Sequence, residues 1–440
     1  MAELKTEVKE KTILHNFETH PIMVCGNALV LSRPEKTSII LSERDCLAGS
    51  HKIKMAKLFT SKEETCPIHK CPLEKSNINS ELDVYHFYTE NLKKDKMHIF
   101  ISMKDREKIK LEIYDRVAIE GYVLKIPSGK TMANDGIFCT KIAEYIEPIE
   151  SQTSMLTKQD VIEQFGLDLP SLDMPKGMFN DYKHALLLST VHTGITEICV
   201  GNPGTDKSSF GYLMIELAGG AFVDSNLATD VGLIGMACRG ENGFFFAGGA
   251  IFAARDKLLV CDEIDNMIRK NPAFLKKLNG ITGNHKISFR KGNVNFEDDF
   301  NVSLIAFANP IYGRFQTNPK SQIYQTFREN PEMLSRCHFI WALSCRVNPD
   351  NTREYDKKAL RIYLQQARQM KVADKDITPE AKKAIMELHK KNISDERGHR
   401  KITDLCIAEA KLSLHKTVTV EDVQNIARLY ETQNKLLNGR

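Results

Sequence analysis

The chain has 440 residues, more than one hydrophobic core usually organises, so we expect two or three domains. Its 61 basic and 57 acidic residues leave a formal net charge of +4, which excludes a polycation, so any contact with nucleic acid depends on local basic patches. No run of about 18 apolar residues and no secretory leader is evident, and the 11 cysteines fit a reducing compartment, so we expect a protein of the cytoplasm, where it would be nucleoid-associated, or of a nucleus.

The first third of the chain has a β-rich pattern. Residues 1–20 are a polar tail. In residues 21–150, short apolar or alternating runs separated by Gly, Asn and charged turns predict a small β-barrel or sandwich, interrupted by a cysteine-bearing insertion at 46–79. Residues 151–180 contain a short helical pattern and then LDLPSLDMPKG, whose prolines and glycine indicate a linker.

The remainder of the chain changes character. Residues 181–346 alternate helical and strand patterns, which is typical of a doubly wound α/β domain. Residues 347–440 are almost wholly helical in pattern. The predicted fold class is therefore α/β, with a β-rich domain in front and a helical region behind.

The sharpest signal is a phosphate-binding pattern. An apolar strand, Ile198 to Val200, enters a Gly- and Pro-rich turn, and a helix follows at Lys207 and Ser208. In this arrangement backbone N–H groups curl around phosphates, the lysine reaches the β- and γ-phosphates, and the serine hydroxyl binds Mg²⁺. The predicted nucleotide-binding residues are Gly201, Asn202, Pro203, Gly204, Thr205, Asp206, Lys207, Ser208 and Ser209.

Asp206 departs from the general pattern, which has glycine at this position. A carboxylate beside the phosphates would repel them by about 1 kcal/mol or more in a shielded site. The alternative is that its side chain points outward, because only the backbone of this residue must face the ligand.

Two further strands end in polar residues suited to hydrolysis. KLLVCDEID ends an apolar strand in Asp262, which would hold Mg²⁺, and Glu263, which would act as general base. The strand VSLIAFANP ends in Asn309, whose amide can orient the attacking water. In MLSRCHF, Arg336 stands where an arginine finger would reach a neighbouring subunit; the alternative is a surface salt bridge.

These motifs resemble those of the minichromosome-maintenance (MCM) family of AAA+ helicases. GNPGTDKS is similar to the family's GDPGTAKS, CDEIDNM to IDEFDKM, and ANPIYGRF to ANPIGGRYD. LSRCHF is similar to LSRFDL, and LRIYLQQAR to LRKYIAYAR at the start of the helical lid. The resemblance implies a AAA+ P-loop ATPase core followed by a helical lid. It also implies a DNA helicase of replication that uses ATP and Mg²⁺. The same resemblance implies a homo-oligomeric ring, which we expect to be a hexamer.

The resemblance also assigns residues outside the phosphate site. Arg400 best matches the family's second sensor arginine, with Arg397 as the alternative, and it acts on a neighbour's nucleotide. LNGITGNHKISFRKGNVNF resembles the hairpin whose lysine projects into the central channel, which places Lys291, with Arg290 beside it, against single- or double-stranded DNA. The alternative for these two residues is an ordinary solvated β-turn.

The family places an OB-fold with a zinc ribbon ahead of the ATPase core, and the β-rich part fits an OB-fold that binds nucleic acid. Cys46, Cys66, His69 and Cys71 are the ligands that this resemblance suggests for Zn²⁺, with His51 also in the set. The alternative is a degenerate insertion that has lost its metal.

Three functions remain open at this stage. The first is an ATP-driven DNA translocase ring, with replication-initiation factors among its partners and no membrane association. The second is a catalytically weak DNA-binding scaffold ring, because Asp206 alters the P-loop and FFFAGGAI lacks an acid that the family carries there. The third is a AAA+ ATPase that remodels proteins. The short ends of the chain suggest a reduced family member.

Overall fold

The computed structural model describes residues 22–31, 34–46, 52–58, 73–74, 79–90, 96–102, 111, 115–125, 135–144, 156–224, 229–240, 243–270, 272–291, 294–348, 352–392 and 398–439. Two compact units are present. The first comprises residues 1–148, 235–248 and 290–294, and the second comprises the rest of the chain. We describe each unit separately.

The N-terminal part of the first unit is all β. Its described strands are β1 (Ile22–Val30), β2 (Glu35–Cys46), β3 (Lys52–Leu58), β4 (Leu73–Glu74), β5 (Asn79–Glu90), β6 (Lys96–Ser102), β7 (Arg116–Lys125) and β8 (Asp135–Glu144).

Five of these strands form a closed ring in the order β1-β5-β6-β8-β7, which closes because β7 pairs back with β1. Only the β6–β8 pair in this ring is parallel. Alternating residues such as Phe87, Ile99, Ile119 and Ile137 point into the ring and are buried. The predicted β-barrel or sandwich is therefore a small barrel.

The remaining strands branch from this ring. β2 pairs with β3, β4 and β5, all antiparallel. Cys46, the last residue of β2, lies opposite Leu73 of β4. The other residues of the predicted zinc set, Cys66, His69 and Cys71, together with His51, lie outside the described residues. Among the residues that are described, no group of three or more metal-ligating side chains occurs.

The second unit is built on a parallel sheet. Its strands are β10 (Thr196–Gly201), β11 (Gly220–Asp224), β14 (Leu258–Asp262), β17 (Ser303–Ala308) and β18 (Phe339–Leu343), in the order β11-β14-β17-β10-β18. Every neighbouring pair is parallel. All residues of β10 and β17 are buried, as expected for central strands of a sheet covered on both faces.

The helices of the second unit pack around this sheet and continue as a bundle. They are α1 (Lys158–Gln164), α2 (Lys176–Val191), α3 (Lys207–Ala218), α4 (Asp230–Ile234), α5 (Ala250–Ala253), α6 (Ile264–Lys270), α7 (Pro272–Asn284), α8 (Pro319–Thr326), α9 (Pro331–Arg336), α10 (Lys357–Gln369), α11 (Pro379–Asn392), α12 (Gly398–Leu412) and α13 (Val420–Leu437). None of the helices in the described ranges is long and apolar enough to cross a membrane.

The segment predicted as a linker, residues 151–180, is part of the folded second unit where it is described. Helix α1 lies within it, with Val161 and Phe165 buried. The short strand β9 (Ser171–Leu172) pairs with β19 (Val347–Asn348). Pro175 is the N-cap of α2, which begins at Lys176. The predicted domain boundary at residue 181 therefore falls inside this helix.

Two hairpins project from the chain of the α/β core. The first consists of β12 (Gly235–Gly240) and β13 (Gly243–Gly248) and interrupts the connection between β11 and β14. The second consists of β15 (Lys286–Lys291) and β16 (Val294–Asp299) and precedes β17.

A buried ionic cluster ties the C-terminal helices to the first helices of the unit. Glu409 of α12 is fully buried, and its carboxylate lies 2.6 Å from Lys158 Nζ and 2.6 Å from His184 Nε2. Asn425 of α13 donates a further hydrogen bond to it over 3.0 Å. Burial would raise the pKa of Glu409, but the interactions with His184 and Lys158 outweigh it and lower the pKa to about 2.

Candidate functional site: a nucleotide cavity at the carboxyl edge of the sheet

The loop after β10 has a close-packed backbone. A Cβ atom on Gly201 would lie 2.6 Å from Thr205 Oγ1, and Gly204 has a φ of +78°. Both positions therefore require glycine if the loop is to keep this shape. The Thr205 hydroxyl donates to the Asn202 carbonyl over 2.8 Å and closes the loop on itself.

Asp206 takes the left-handed conformation, with φ 56° and ψ 27°, immediately before α3. Glycine adopts this region freely, whereas among other residues Asp and Asn tolerate it best. The Ser209 hydroxyl donates to Asp206 Oδ1 over 2.6 Å. Asp206 Oδ2 is buried and has no hydrogen-bond partner among the described residues. The carboxylate therefore turns back towards α3, yet Asp206 still lines the cavity described below.

Lys207, the first residue of α3, folds its side chain back over the loop. Its ammonium donates to the carbonyls of Gly201 and Asn202 and to Thr205 Oγ1, over 2.9 to 3.1 Å. Burial lowers the pKa of Lys207, while the nearby carboxylate of Asp262 acts in the opposite direction. These oxygen acceptors are the kind of partner that phosphate oxygens would replace.

The acidic pair at the end of β14 faces this lysine. The Ser208 hydroxyl donates to Asp262 Oδ2 over 2.5 Å, so the two predicted Mg²⁺ ligands are in direct contact. The backbone N–H of Glu263 donates to Asp262 Oδ1 over 3.0 Å. Glu263 has a φ of 51°, so the chain turns sharply as it leaves the strand and enters α6.

Sequence reasoning missed three residues of α6 that support the site. Asp265 is buried and its Oδ1 accepts the backbone N–H of Asn309 over 3.0 Å. Arg269 holds the other oxygen of Asp265 over 2.7 Å. Asn266 donates to the Glu263 carboxylate over 2.9 Å. The signal for Asp265 was present as the second acid of CDEID, but its partner could not be read from the sequence.

Asn202 connects the loop to two other elements. Its Oδ1 accepts the backbone N–H of Phe315 over 2.8 Å, and its Nδ2 donates to the Ser344 carbonyl over 3.1 Å. The segment after Asn309 and the segment after β18 are thereby fastened to the phosphate loop.

These groups surround one cavity of about 390 Å³. The predicted residues Lys207, Ser208, Asp262, Glu263 and Asn309 all line it, because β17 lies between β10 and β14 and the carboxyl ends of all three meet at one edge. Pro170 and Val347 form part of its wall, and neither was predicted. Hard oxygen ligands such as Ser208 and Asp262 suit Mg²⁺.

The two predicted arginines lie elsewhere. Neither Arg336 nor Arg400 is among the described residues that line the cavity. Arg336 pairs with Glu332 and packs so closely on α7 that a Cβ on Gly283 would lie 1.1 Å from its Nη1. Arg400 is about three-quarters exposed, with its Nε 3.9 Å from Asp404.

The DNA-binding residues predicted for the second hairpin are only partly described. Arg290 is exposed on β15. Lys291 is the last residue of β15, and its side chain lies outside the described part of the chain. Arg397, the alternative to Arg400, also lies outside it.

In this parallel sheet a glycine-bearing loop joins the inner strand β10 to a helix, a lysine lies over the loop, and an acid ends β14, the next strand but one. These features define a P-loop nucleotide-binding domain of AAA+ type. The family described as the MCM P-loop domain matches residues 180–363. The resemblance to the MCM family found in the sequence is confirmed over this segment, and curated MCM proteins match the chain as well.

Curated relatives match at modest identity. The DNA replication licensing factor mcm7-B of Xenopus laevis is 24% identical over 337 residues, covering 66% of this chain and 45% of the relative. The mcm7 factor of Schizosaccharomyces pombe is 24% identical over 307 residues, covering 58% and 40%. The minichromosome maintenance protein MCM of Saccharolobus solfataricus is 25% identical over 268 residues, covering 53% and 38%. The chain thus spans less than half the length of each of these relatives.

Proposed function

We propose that the chain is an ATP-hydrolysing subunit of an MCM-type ring that moves along DNA as a helicase. One chain would supply Lys207, Ser208, Asp262, Glu263 and Asn309 to each active site. The neighbouring copy would supply Arg336 and Arg400. The match to the MCM P-loop domain supports the use of ATP and Mg²⁺, and two of the relatives named above are DNA replication licensing factors.

The single observation that carries this proposal is the division of the site. The residues proposed to bind and activate ATP line one cavity, whereas the two arginines proposed to compensate charge are not among the described residues that line it. Lys401 Nζ donates to the Ser335 carbonyl over 2.5 Å, which keeps the helix of Arg400 beside the helix of Arg336. Arginines away from their own cavity fit a site that another copy completes: Arg400 is exposed enough to reach it as it stands, whereas Arg336 would first have to leave Glu332.

In the proposed reaction the protein positions groups and compensates charge. Lys207 would leave its loop carbonyls for the β- and γ-phosphates of ATP, and Glu263 would accept a proton from the attacking water that Asn309 orients. Ser208 and Asp262 would hold Mg²⁺, which would supply positive charge to offset that of the phosphates.

The first experiment is ATP hydrolysis with and without single-stranded DNA, beside the variant Lys207→Ala. We expect DNA to raise the wild-type rate, and we expect the variant to lose it by about 100-fold or more. An ATPase rate that DNA does not change would contradict a DNA translocase. If DNA raises the rate, strand displacement is the next assay.

A second candidate is a ring that binds DNA without turning over ATP, and Asp206 favours it. Asp206 lines the cavity, and one oxygen of its carboxylate is buried without a partner among the described residues. A bound phosphate would therefore lie near a negative charge that hydrogen bonds offset at only one of the two oxygens. This second function would be supported if the wild type and Lys207→Ala both failed to hydrolyse ATP while the wild type still bound nucleotide.

For the N-terminal barrel we propose an OB-fold that binds a nucleic-acid strand. A closed ring of five strands with one parallel pair supports it, because an OB-fold is a five-stranded Greek-key barrel. We also propose that Arg290 and Lys291 grip the DNA backbone. Lys291→Ala should then weaken DNA binding and its salt dependence. Unchanged DNA binding would favour the alternative of a protein-remodelling ATPase.

Zinc binding by the insertion remains a proposal. The pairing of Cys46 with Leu73 supports it, because Cys71 is two residues from Leu73 and two residues span at most about 7 Å. Cys46, Cys66, His69 and Cys71 would then make a four-ligand set. Metal analysis of the purified protein, beside Cys71→Ser, tests it: about one zinc per chain that the variant loses is the expected result.

A further inference from the structure

Helix α6 carries a hydrogen-bond network that ends on the proposed general base. Asn266 is half-buried, and its Nδ2 donates to Glu263 Oε2 over 2.9 Å. On its other side, Asn266 Oδ1 accepts a hydrogen bond from Arg269 Nη2 over 3.1 Å. Only the NH₂ of an amide donates, so the two contacts together determine which side of Asn266 faces the carboxylate.

The same network reaches Asn309. Arg269 Nη2 also lies 2.7 Å from Asp265 Oδ2, and Arg269 Nε donates to the Asp265 carbonyl over 3.2 Å. Asp265 in turn accepts the backbone N–H of Asn309. One guanidinium therefore contacts both Asn266 and Asp265, the residues that bond Glu263 and Asn309, which are the two residues proposed to act on the attacking water.

We infer that Asn266 is a positioning residue for ATP hydrolysis, because its amide holds the Glu263 carboxylate where it lines the nucleotide cavity. This inference rests on the proposed function. A glutamate side chain has three rotatable bonds, and a charge-assisted hydrogen bond restricts them before the water arrives. The MCM motif compared above has lysine at this position, so the neutral amide is a feature of this chain.

The test uses a substitution that keeps shape and removes one donor. Asn266→Asp is isosteric and retains the acceptor for Arg269, but it places a carboxylate against Glu263 in place of the NH₂. Asn266→Ala removes both contacts. We expect kcat to fall about tenfold or more in each variant, while the Kd for ATP stays unchanged. Asn266→Gln, which retains an amide donor, should keep more activity than either.

The order of the variants separates positioning from packing. If Asn266 only filled space, the isosteric Asn266→Asp would lower kcat less than Asn266→Ala, and that result would overturn the inference. A positioning role requires Asn266→Asp to lower kcat at least as much as Asn266→Ala. A fall in ATP affinity with kcat unchanged would also overturn it.

A second measurement does not depend on hydrolysis. Urea unfolding of Asn266→Ala, Glu263→Ala and the double variant gives the coupling between the two side chains. Coupling supports the contact, and strict additivity overturns it. If the wild type hydrolyses no ATP, the proposed function fails in its own assay and the role assigned to Asn266 fails with it. If the wild type is active and the variants behave like it, only the role of Asn266 fails.

Discussion

The ammonium of Lys401 lies 2.5 Å from the carbonyl oxygen of Ser335, and this contact joins α12 to α9, the helix that ends one residue later at Arg336. Arg400 precedes Lys401 on α12. The helices that carry the two arginines proposed to act on a neighbouring copy are therefore joined by this contact, although about sixty residues separate the arginines in the chain.

Mixed rings test whether these arginines act between copies. We expect Arg336→Ala and Lys207→Ala each to be inactive alone. When the two are mixed, an intact P-loop of one variant meets an intact Arg336 of the other at some interfaces, so ATPase activity should partly return. The control is Arg336→Ala mixed with itself at the same total concentration. Mixtures as inactive as their parts would contradict a shared site.

Removing the charge of Asp206 should tighten nucleotide binding. A carboxylate near the phosphates costs about 1 kcal/mol or more, so Asp206→Asn should lower the Kd for ATP about fivefold. Asp206→Gly is the matched variant, because it also relieves the left-handed backbone. If both variants bind ATP more tightly by the same factor, the charge of Asp206 is the cause. If only Asp206→Gly binds ATP more tightly, the cause is backbone strain. Titration with a fluorescent ATP analogue measures both.

Asn202→Ala should loosen the phosphate loop, since the side chain bonds both Phe315 N–H and the Ser344 carbonyl. We expect a loss of about 1 kcal/mol in the free energy of unfolding and weaker ATP binding. Asn202→Asp keeps the oxygen that accepts from the Phe315 N–H and loses only the donor to the Ser344 carbonyl. Because Ser344 is exposed, water can replace that donor. In urea, Asn202→Asp should therefore have a free energy of unfolding close to that of the wild type. If it is as unstable as Asn202→Ala, the role given to the Phe315 contact is wrong.

The buried Glu409 cluster predicts acid sensitivity. The pKa of Glu409 is about 2 in the folded chain against an ordinary 4.5, so the carboxylate stabilises the fold above pH 4.5, and this stability is lost as the pH falls towards 2. The shift corresponds to about 3 kcal/mol. Glu409→Gln should cost a similar amount at pH 7, because His184 and Lys158 lose their buried partner.

The measurement is urea unfolding at several pH values. In the wild type, the free energy of unfolding should fall more steeply between pH 4.5 and the lowest accessible pH than in Glu409→Gln. Asp404→Asn, which alters a partly exposed carboxylate of the same helix, is the control. Parallel curves for wild type and Glu409→Gln would contradict the prediction.

The phosphate loop, the acidic pair and Asn309 could be located from sequence because each follows a short apolar strand, and strand ends of a parallel sheet meet at one edge. The sequence also predicted the helical region after residue 347. It did not indicate that Pro170 and Val347 wall the cavity, since the β9–β19 pairing joins segments about 175 residues apart.

Side-chain partners were the least predictable part. That Asn266 reaches back to Glu263, or that Asp265 bonds the backbone of Asn309, depends on how α6 leaves its strand through a left-handed residue. The position of Asp206 illustrates the same limit: the sequence showed an unusual residue, but the direction of its carboxylate depends on a contact with Ser209.

The hairpin β12–β13 leaves and rejoins the α/β core at a single point. Gly235 pairs with Gly248, and just outside them the Gly249 N–H bonds the Ile234 carbonyl over 3.0 Å. Both ends of the insertion are thus fixed side by side. Because its two ends already meet, a change of length at the tip of the hairpin leaves the spacing between Ile234 and Gly249 unchanged.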